Sequence, residues 1–170
     1  MAELKELDVK KTDKKFNTFQ IIVFKQGTEE YALQIDQIKE VVLTPSITRM
    51  PQTPSYIKGV ANIRGNIIAI VDLEEKFGVN ALDEKFASTG KYTLVVESEK
   101  YKMGILVKDV PNTLAISDSD MDQSVIGAND DQSYIKGIVK LGNRLIILID
   151  IFKILSAKEI NQSFHRAVAA

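Results

Sequence analysis

One segment of this chain occurs twice. YIKGVANIRGNIIAIVDL, residues 56–73, returns as YIKGIVKLGNRLIILIDI at 134–151. Tyr56 and Tyr134 stand 78 residues apart, as do Asp72 and Asp150, so the two copies align without a gap. Six positions are identical (Tyr56/Tyr134, Ile57/Ile135, Lys58/Lys136, Gly59/Gly137, Ile68/Ile146 and Asp72/Asp150), and most of the others exchange one apolar residue for another. Upstream the likeness continues more weakly, with Leu33, Ile35 and Ile38 falling over Ile105, Val107 and Val110 at a spacing of 72. Two units of about seventy residues are too few for a solenoid or a propeller, which need three or more stacked units. Each copy must therefore close on itself or on its twin.

The runs FQIIVF, EYALQI, IKEVVL, YTLVVES and KMGILV are short and rich in β-branched and aromatic residues, so they read as strands. Turn chemistry separates them at Gln26-Gly27, at Pro45-Ser46, between Pro51 and Pro54, and at Arg64-Gly65. Five such strands per copy predict two similar five-stranded antiparallel barrel subdomains packed together, a mainly β fold with short helices that leaves little free strand edge. The boundaries follow as a flexible arm over 1–15, a first barrel over about 16–85 and a second over about 90–158, with a helical tail over 159–170. IIAIV (67–71) and LIILI (145–149) do not alternate, because one face is expected to fill a barrel and the other to meet the twin barrel. Asp72 and Asp150 read as helix N-caps, with Glu75 completing a capping box and Gly78 stopping the first helix.

Little in the chain suggests chemistry. With no cysteine, thiolate metal sites, disulfides and cysteine nucleophiles are excluded. His165, the one histidine, has no triad to join. Asp118, Asp120 and Asp122 imitate the first half of a calcium loop but lack its glycine and terminal glutamate, so a solvated acidic loop is the expectation. Phosphate-cradling glycine motifs are absent, and no catalytic, cofactor-binding or metal site is expected. A formal charge of -1 gives no field for nucleic acid or anionic lipid. The apolar runs are far shorter than the roughly 20 residues of a membrane helix, and the amino-terminal segment has no apolar core of a secretion signal, so a cytoplasmic protein is expected.

The copies differ most where the hairpin turns. The second has Gly142-Asn143, suited to left-handed angles, but the first puts Arg64 ahead of Gly65, where glycine or asparagine costs less. A broken local rule inside a duplicated frame marks a place to look for function. Arg64 could fork onto Glu40 of the third strand, a clasp present in one copy only, or it could be an exposed surface pair of little energetic consequence.

The order EEYALQIDQIKEVV, ITRMPQTPSYIKGVANIRGNIIAIVDLEEKFG, MGILVKDV and YIKGIVKLGNRLIILIDI closely resembles the CheW family of bacterial chemotaxis coupling proteins, over residues 16–155. The resemblance implies the two packed barrels and a non-catalytic adaptor, which joins the cytoplasmic tip of a chemoreceptor to the regulatory domain of the histidine kinase CheA within a membrane-associated array. The chain ends soon after the second copy, which favours a stand-alone coupling protein over the kinase or a receiver-fused relative. The resemblance also implies a receptor groove at Ile35, Ile38, Glu40, Gly59, Asn62, Arg64 and Thr113, and a kinase-facing surface at Val42, Leu43, Thr44, Ile47, Thr48 and Arg49. A small-barrel nucleic-acid binder using the lysine-rich arm is the alternative reading, and a hydrolase has no residues to name.

Overall fold

The computed structural model describes residues 17–78, 90–99, 102–124 and 134–154. The expected arm, helical tail, His165 and most of the acidic loop lie outside these residues. Eleven strands run β1 (Thr18–Gln26), β2 (Glu29–Gln34), β3 (Ile38–Leu43), β4 (Ile57–Ile63), β5 (Asn66–Val71), β6 (Tyr92–Glu97), β7 (Lys102–Val107), β8 (Asn112–Ser117), β9 (Met121–Asp122), β10 (Ile135–Leu141) and β11 (Arg144–Ile149). Short helices α1 (Leu73–Phe77) and α2 (Ile151–Ile154) follow β5 and β11.

The strands form two sheets, ordered β8-β1-β2-β11-β10-β9 and β3-β6-β7-β5-β4. In each, the chain leaving one edge returns to bond the other. After β3, Thr48 makes a bridge to Val60 on β4; after β8, a single 3-10 turn leads into β9, which pairs with β10. The result is two barrels of like design, as the duplication predicts. One pair in each is parallel, β5 with β7 and β2 with β11, so the barrels are not antiparallel throughout.

The division of the chain between the barrels differs from the sequential one expected. β1 and β2 belong with β8–β11, and β3–β7 form the other barrel, so each copy lends its first hairpin to its twin. Among the described residues the chain crosses between barrels twice, at the 3-10 turn Ile35–Gln37 and again between β7 and β8. Parallel pairing confirms the weak upstream alignment: Tyr31 lies beside Ile147 and Ala32 beside Leu148, as Met103 lies beside Ala69 and Gly104 beside Ile70.

The exchanged hairpins are buried on both faces, which accounts for their unbroken apolar runs. Ile21, Val23 and Ala32 fill the first barrel with Ile116, Val139, Ile146 and Leu148. Val95 and Leu106 fill the second with Ala61, Ile63, Ile68 and Ile70. Their neighbours Ile22, Phe24, Leu33, Leu94, Val96, Met103 and Ile105 point the other way and make a third layer between the barrels, with Val71 and Ile149. The period-two alternation of a strand thus assigns consecutive residues to different cores.

The aspartates cap as expected. Asp72 Oδ1 accepts from the Glu74 and Glu75 amides at 2.9 and 3.4 Å, and Asp150 Oδ1 accepts from the Phe152 amide at 3.1 Å. Gly78 ends α1 in the left-handed region at φ 68°. The expected capping box is only half formed, because the Glu75 carboxylate is drawn to the Lys58 ammonium instead.

Candidate functional site

The second barrel is closed by one backbone bridge and one side-chain clasp. Thr48 N–H donates to Val60 O at 2.8 Å and Val60 N–H to Thr48 O at 2.9 Å. This close approach requires Gly59: it lies at φ 143°, and a Cβ there would stand 2.1 Å from the Thr48 carbonyl oxygen. Gly59 is buried, so its part in any groove is to let the seam close. Toward the hairpin tip, Arg64 Nε donates to Glu40 Oε2 at 2.6 Å. Because β3 and β4 are opposite edges of their sheet, this bond spans the seam a second time. It is a single bond rather than the expected fork, with 74% of the arginine side chain exposed and only 19% of the glutamate.

Arg64 and Gly65 sit at φ 52° and 83°, the paired positive angles of a mirror-image hairpin turn. A left-handed arginine costs roughly 1 kcal/mol, an amount comparable with the most an exposed ion pair returns. Stability therefore does not explain why arginine occupies this turn. Asn62 Oδ1 accepts from the Gly65 amide at 2.9 Å and so braces the tip.

The apolar candidates lie along the outer face of β3 and its approach. Ile38 opposes Val96, and a bulge before Glu40 resets the alternation so that Val41 opposes Leu94 and Leu43 opposes Tyr92. Directly opposed residues share a face, so Ile38, Val41 and Leu43 all point to the side of the inter-barrel layer, while Glu40 and Val42 point toward the barrel interior. Thr113 opposes Ile22 on the first barrel and so faces the same layer from the other side. Ile35, in the crossover turn, is 39% exposed, Val41 40% and Leu43 67%. Val41 was not among the expected residues; the bulge that turns it outward is invisible in a plain alternating pattern.

Of the expected kinase-facing residues, Val42 and Ile47 pack against the core of the second barrel. Thr44 donates its amide to Lys91 O and shares a hydroxyl contact of 2.9 Å with Thr93. Thr48 is part of the seam. Leu43, Arg49 and Thr48, whose seam bonds are made by its backbone, are the exposed members of this set.

A second arginine–glutamate pair occurs between adjacent strands within a sheet, not across a seam. In the first barrel Arg144 forks onto Glu30, Nε to Oε2 at 3.1 Å and Nη2 to Oε1 at 2.9 Å. The Arg144 hydrogen bond holds the Glu30 carboxyl below its ordinary value against the opposing effect of burial. Arg144 aligns with Asn66, two places after Arg64, and it starts a strand instead of occupying a turn. Sequence comparison missed it because its partner is set by the parallel register of β2 and β11. Lys140 reaches Asp122 at 3.1 Å across the seam of the first barrel. With Ser124 as the larger cause and Lys140 assisting, the Asp122 carboxyl is pulled down to about 2. Among the described residues no cluster of histidines and carboxylates could hold a metal ion, and no helix is long and apolar enough to cross a membrane.

The described residues thus form twin barrels with an exposed apolar strand beside a latched seam. The CheW-like domain profile matches residues 20–159. The chain belongs to the CheW family. The chemotaxis protein CheW of Helicobacter pylori is 35% identical over 80% of this chain and 81% of its own length. That of Treponema pallidum is 29% identical over 85% of this chain and 86% of its own. In three dimensions the chain resembles the crystal structure of the scaffolding protein TtCheW from Thermoanaerobacter tengcongensis, with a TM-score of 0.69 and 30% identity over 83% of this chain and 90% of that one. CheW-like proteins are non-catalytic chemotaxis scaffolds, so this chain is a chemotaxis adaptor and not an enzyme. Nothing in these relationships favours the nucleic-acid alternative.

Proposed function

We propose that this adaptor couples the cytoplasmic tip of a methyl-accepting chemoreceptor to the regulatory domain of the histidine kinase CheA, and is recruited from the cytoplasm to receptor arrays at the membrane. The observation that carries the reading is the strained, exposed Arg64 latched to Glu40, with Ile35 and Val41 exposed on β3 and its approach. A helical receptor tip presents apolar side chains at helical spacing with polar ones between them, and a strip of aliphatic groups with one ion pair at its margin supplies contact area and fixes register. In this reading Ile35, Ile38 and Thr113 form the floor, Glu40 and Arg64 the polar margin, with Asn62 behind it bracing the turn that carries Arg64 and Gly59 the closed seam beneath. The kinase meets Leu43 and Arg49, with Val42, Thr44, Ile47 and Thr48 shaping the segment that carries them.

Titration of the full chain with a soluble receptor signalling fragment, and separately with a CheA regulatory domain, tests this. Arg64→Glu should weaken the first association and spare the second, and Leu43→Asp should weaken the second. If neither fragment binds the unmodified chain, or if both variants bind both fragments normally, the assignment fails.

A further inference from the structure

The hairpin tip of the second barrel carries a device that the first barrel lacks. Arg64 and Gly65 both take positive φ, whereas at the equivalent tip only Gly142 does. Glycine at the leading position needs no support there, but arginine does. Asn62 supplies it: its Oδ1 accepts the Gly65 N–H at 2.9 Å, fixing the amide that follows the strained residue. The aligned residue in the other copy is Lys140, which turns instead to Asp122. In that copy the arginine that pairs with a glutamate, Arg144, lies in a strand and is oriented by its neighbours. The brace is therefore found where an arginine sits in the turn, and is missing where glycine does.

From these contacts we infer that Asn62 is a positioning residue: it holds the 64–65 turn so that the Arg64 guanidinium meets Glu40, and it acts on partner binding through Arg64 instead of by touching the partner. A short polar side chain two places before the arginine is required, since its acceptor must curl back onto an amide three residues ahead, a local side-chain-to-backbone bond of the kind Asn and Asp make readily. Lysine has no acceptor and alanine no oxygen. The role refines the receptor-docking reading given above and rests on it only for the binding readout.

Full-length Asn62→Ala, Asn62→Asp, Arg64→Ala and the double variant Asn62→Ala/Arg64→Ala test the inference, with the Arg64 Nε–H resonance followed by NMR and affinity measured for a soluble receptor signalling fragment. Asn62→Ala should keep the circular dichroism of the native protein, move the Arg64 resonance toward that of a free arginine, and weaken the fragment roughly fivefold, the effect of one hydrogen bond. Asn62→Asp, which retains the acceptor, should restore both. In the Arg64→Ala background the Asn62→Ala change should have no further effect on affinity. An undisturbed Arg64 resonance in Asn62→Ala would overturn the inference, and so would an undiminished fivefold loss in the Arg64→Ala background. If the unmodified chain does not bind the fragment at all, the receptor reading falls, and the Arg64 resonance alone still decides whether Asn62 positions the turn.

Discussion

Arg64→Glu separates an arginine kept for stability from one kept for docking. The substitution removes one ion pair whose arginine is 74% exposed, for which the stabilisation is under ~1 kcal/mol. It also sets a second carboxylate beside Glu40, a repulsion of about the same size in an exposed pair. The left-handed backbone is no harder for glutamate than for arginine, so strain is unchanged. The sum is at most about 2 kcal/mol, against the 5–15 kcal/mol typical of a domain. For a chain of this length that corresponds to a fall in Tm of roughly 4–8 °C, with the protein still folded at 25 °C. Thermal melts followed by circular dichroism measure this, and receptor-stimulated autophosphorylation of CheA measures function on the same sample. A folded protein that no longer supports stimulation is expected, and the charge exchange Glu40→Arg/Arg64→Glu should recover part of it if the clasp itself is what matters. Loss of the folded signal at 25 °C, or unaltered stimulation, would refute the reasoning.

Gly59→Ala should destabilise by more than about 3 kcal/mol, because its Cβ would collide with the Thr48 carbonyl at an unfavourable φ, whereas Gly137→Ala, with 3.3 Å to the Asp122 carbonyl oxygen, should cost about 1 kcal/mol or less; urea titrations compare them. Since each barrel contains strands of both copies, calorimetry should show one unfolding transition, and Leu94→Ala in the shared layer should lower it as a whole by about 2–5 kcal/mol without resolving a second peak. Glu30 has a folded-state carboxyl below its ordinary value of 4.5, so the Arg144 fork contributes above that pH and its contribution is lost as pH falls through the lower folded value; Arg144→Ala should therefore remove part of the acid dependence of stability below about pH 4.5 and little of the stability slope at neutral pH.

The strands were legible because each carries its own pattern, and the doubled YIKG block ensured that what one copy does the other does too. The expected two-faced burial of the segments 67–71 and 145–149 holds only beyond their first residues: Ile67 and Leu145 are each 59% exposed, whereas 68–71 are buried and 146–149 buried or half-buried; the cap at Asp72 followed from its place before Leu73. The exchange of hairpins was not legible, for the same reason that the duplication was. If β1–β2 and β6–β7 are equivalent, either can complete either barrel, and likeness between copies cannot say which one does. The choice lies in the crossover at Ile35–Gln37, too short for its sequence to announce where it leads. At the site, Arg64 stood out because it breaks a turn preference within a repeated frame. Arg144 obeys every local rule, and only the long-range register with Glu30 reveals it. Val41 was hidden by a single bulge, although the first-barrel residue at its equivalent position, Thr113, was found: the partners of these two residues, Leu94 and Ile22, are themselves separated by the repeat spacing of 72.

The coupling claim is tested most directly by the autophosphorylation rate of CheA in the presence of a receptor signalling fragment, measured as this chain is added. The account predicts a rate that rises with the chain, requires both fragment and chain, and stays at the basal level when Arg64→Glu replaces the unmodified protein. A rate that is indifferent to the chain while the receptor fragment and CheA are both present and competent would contradict it.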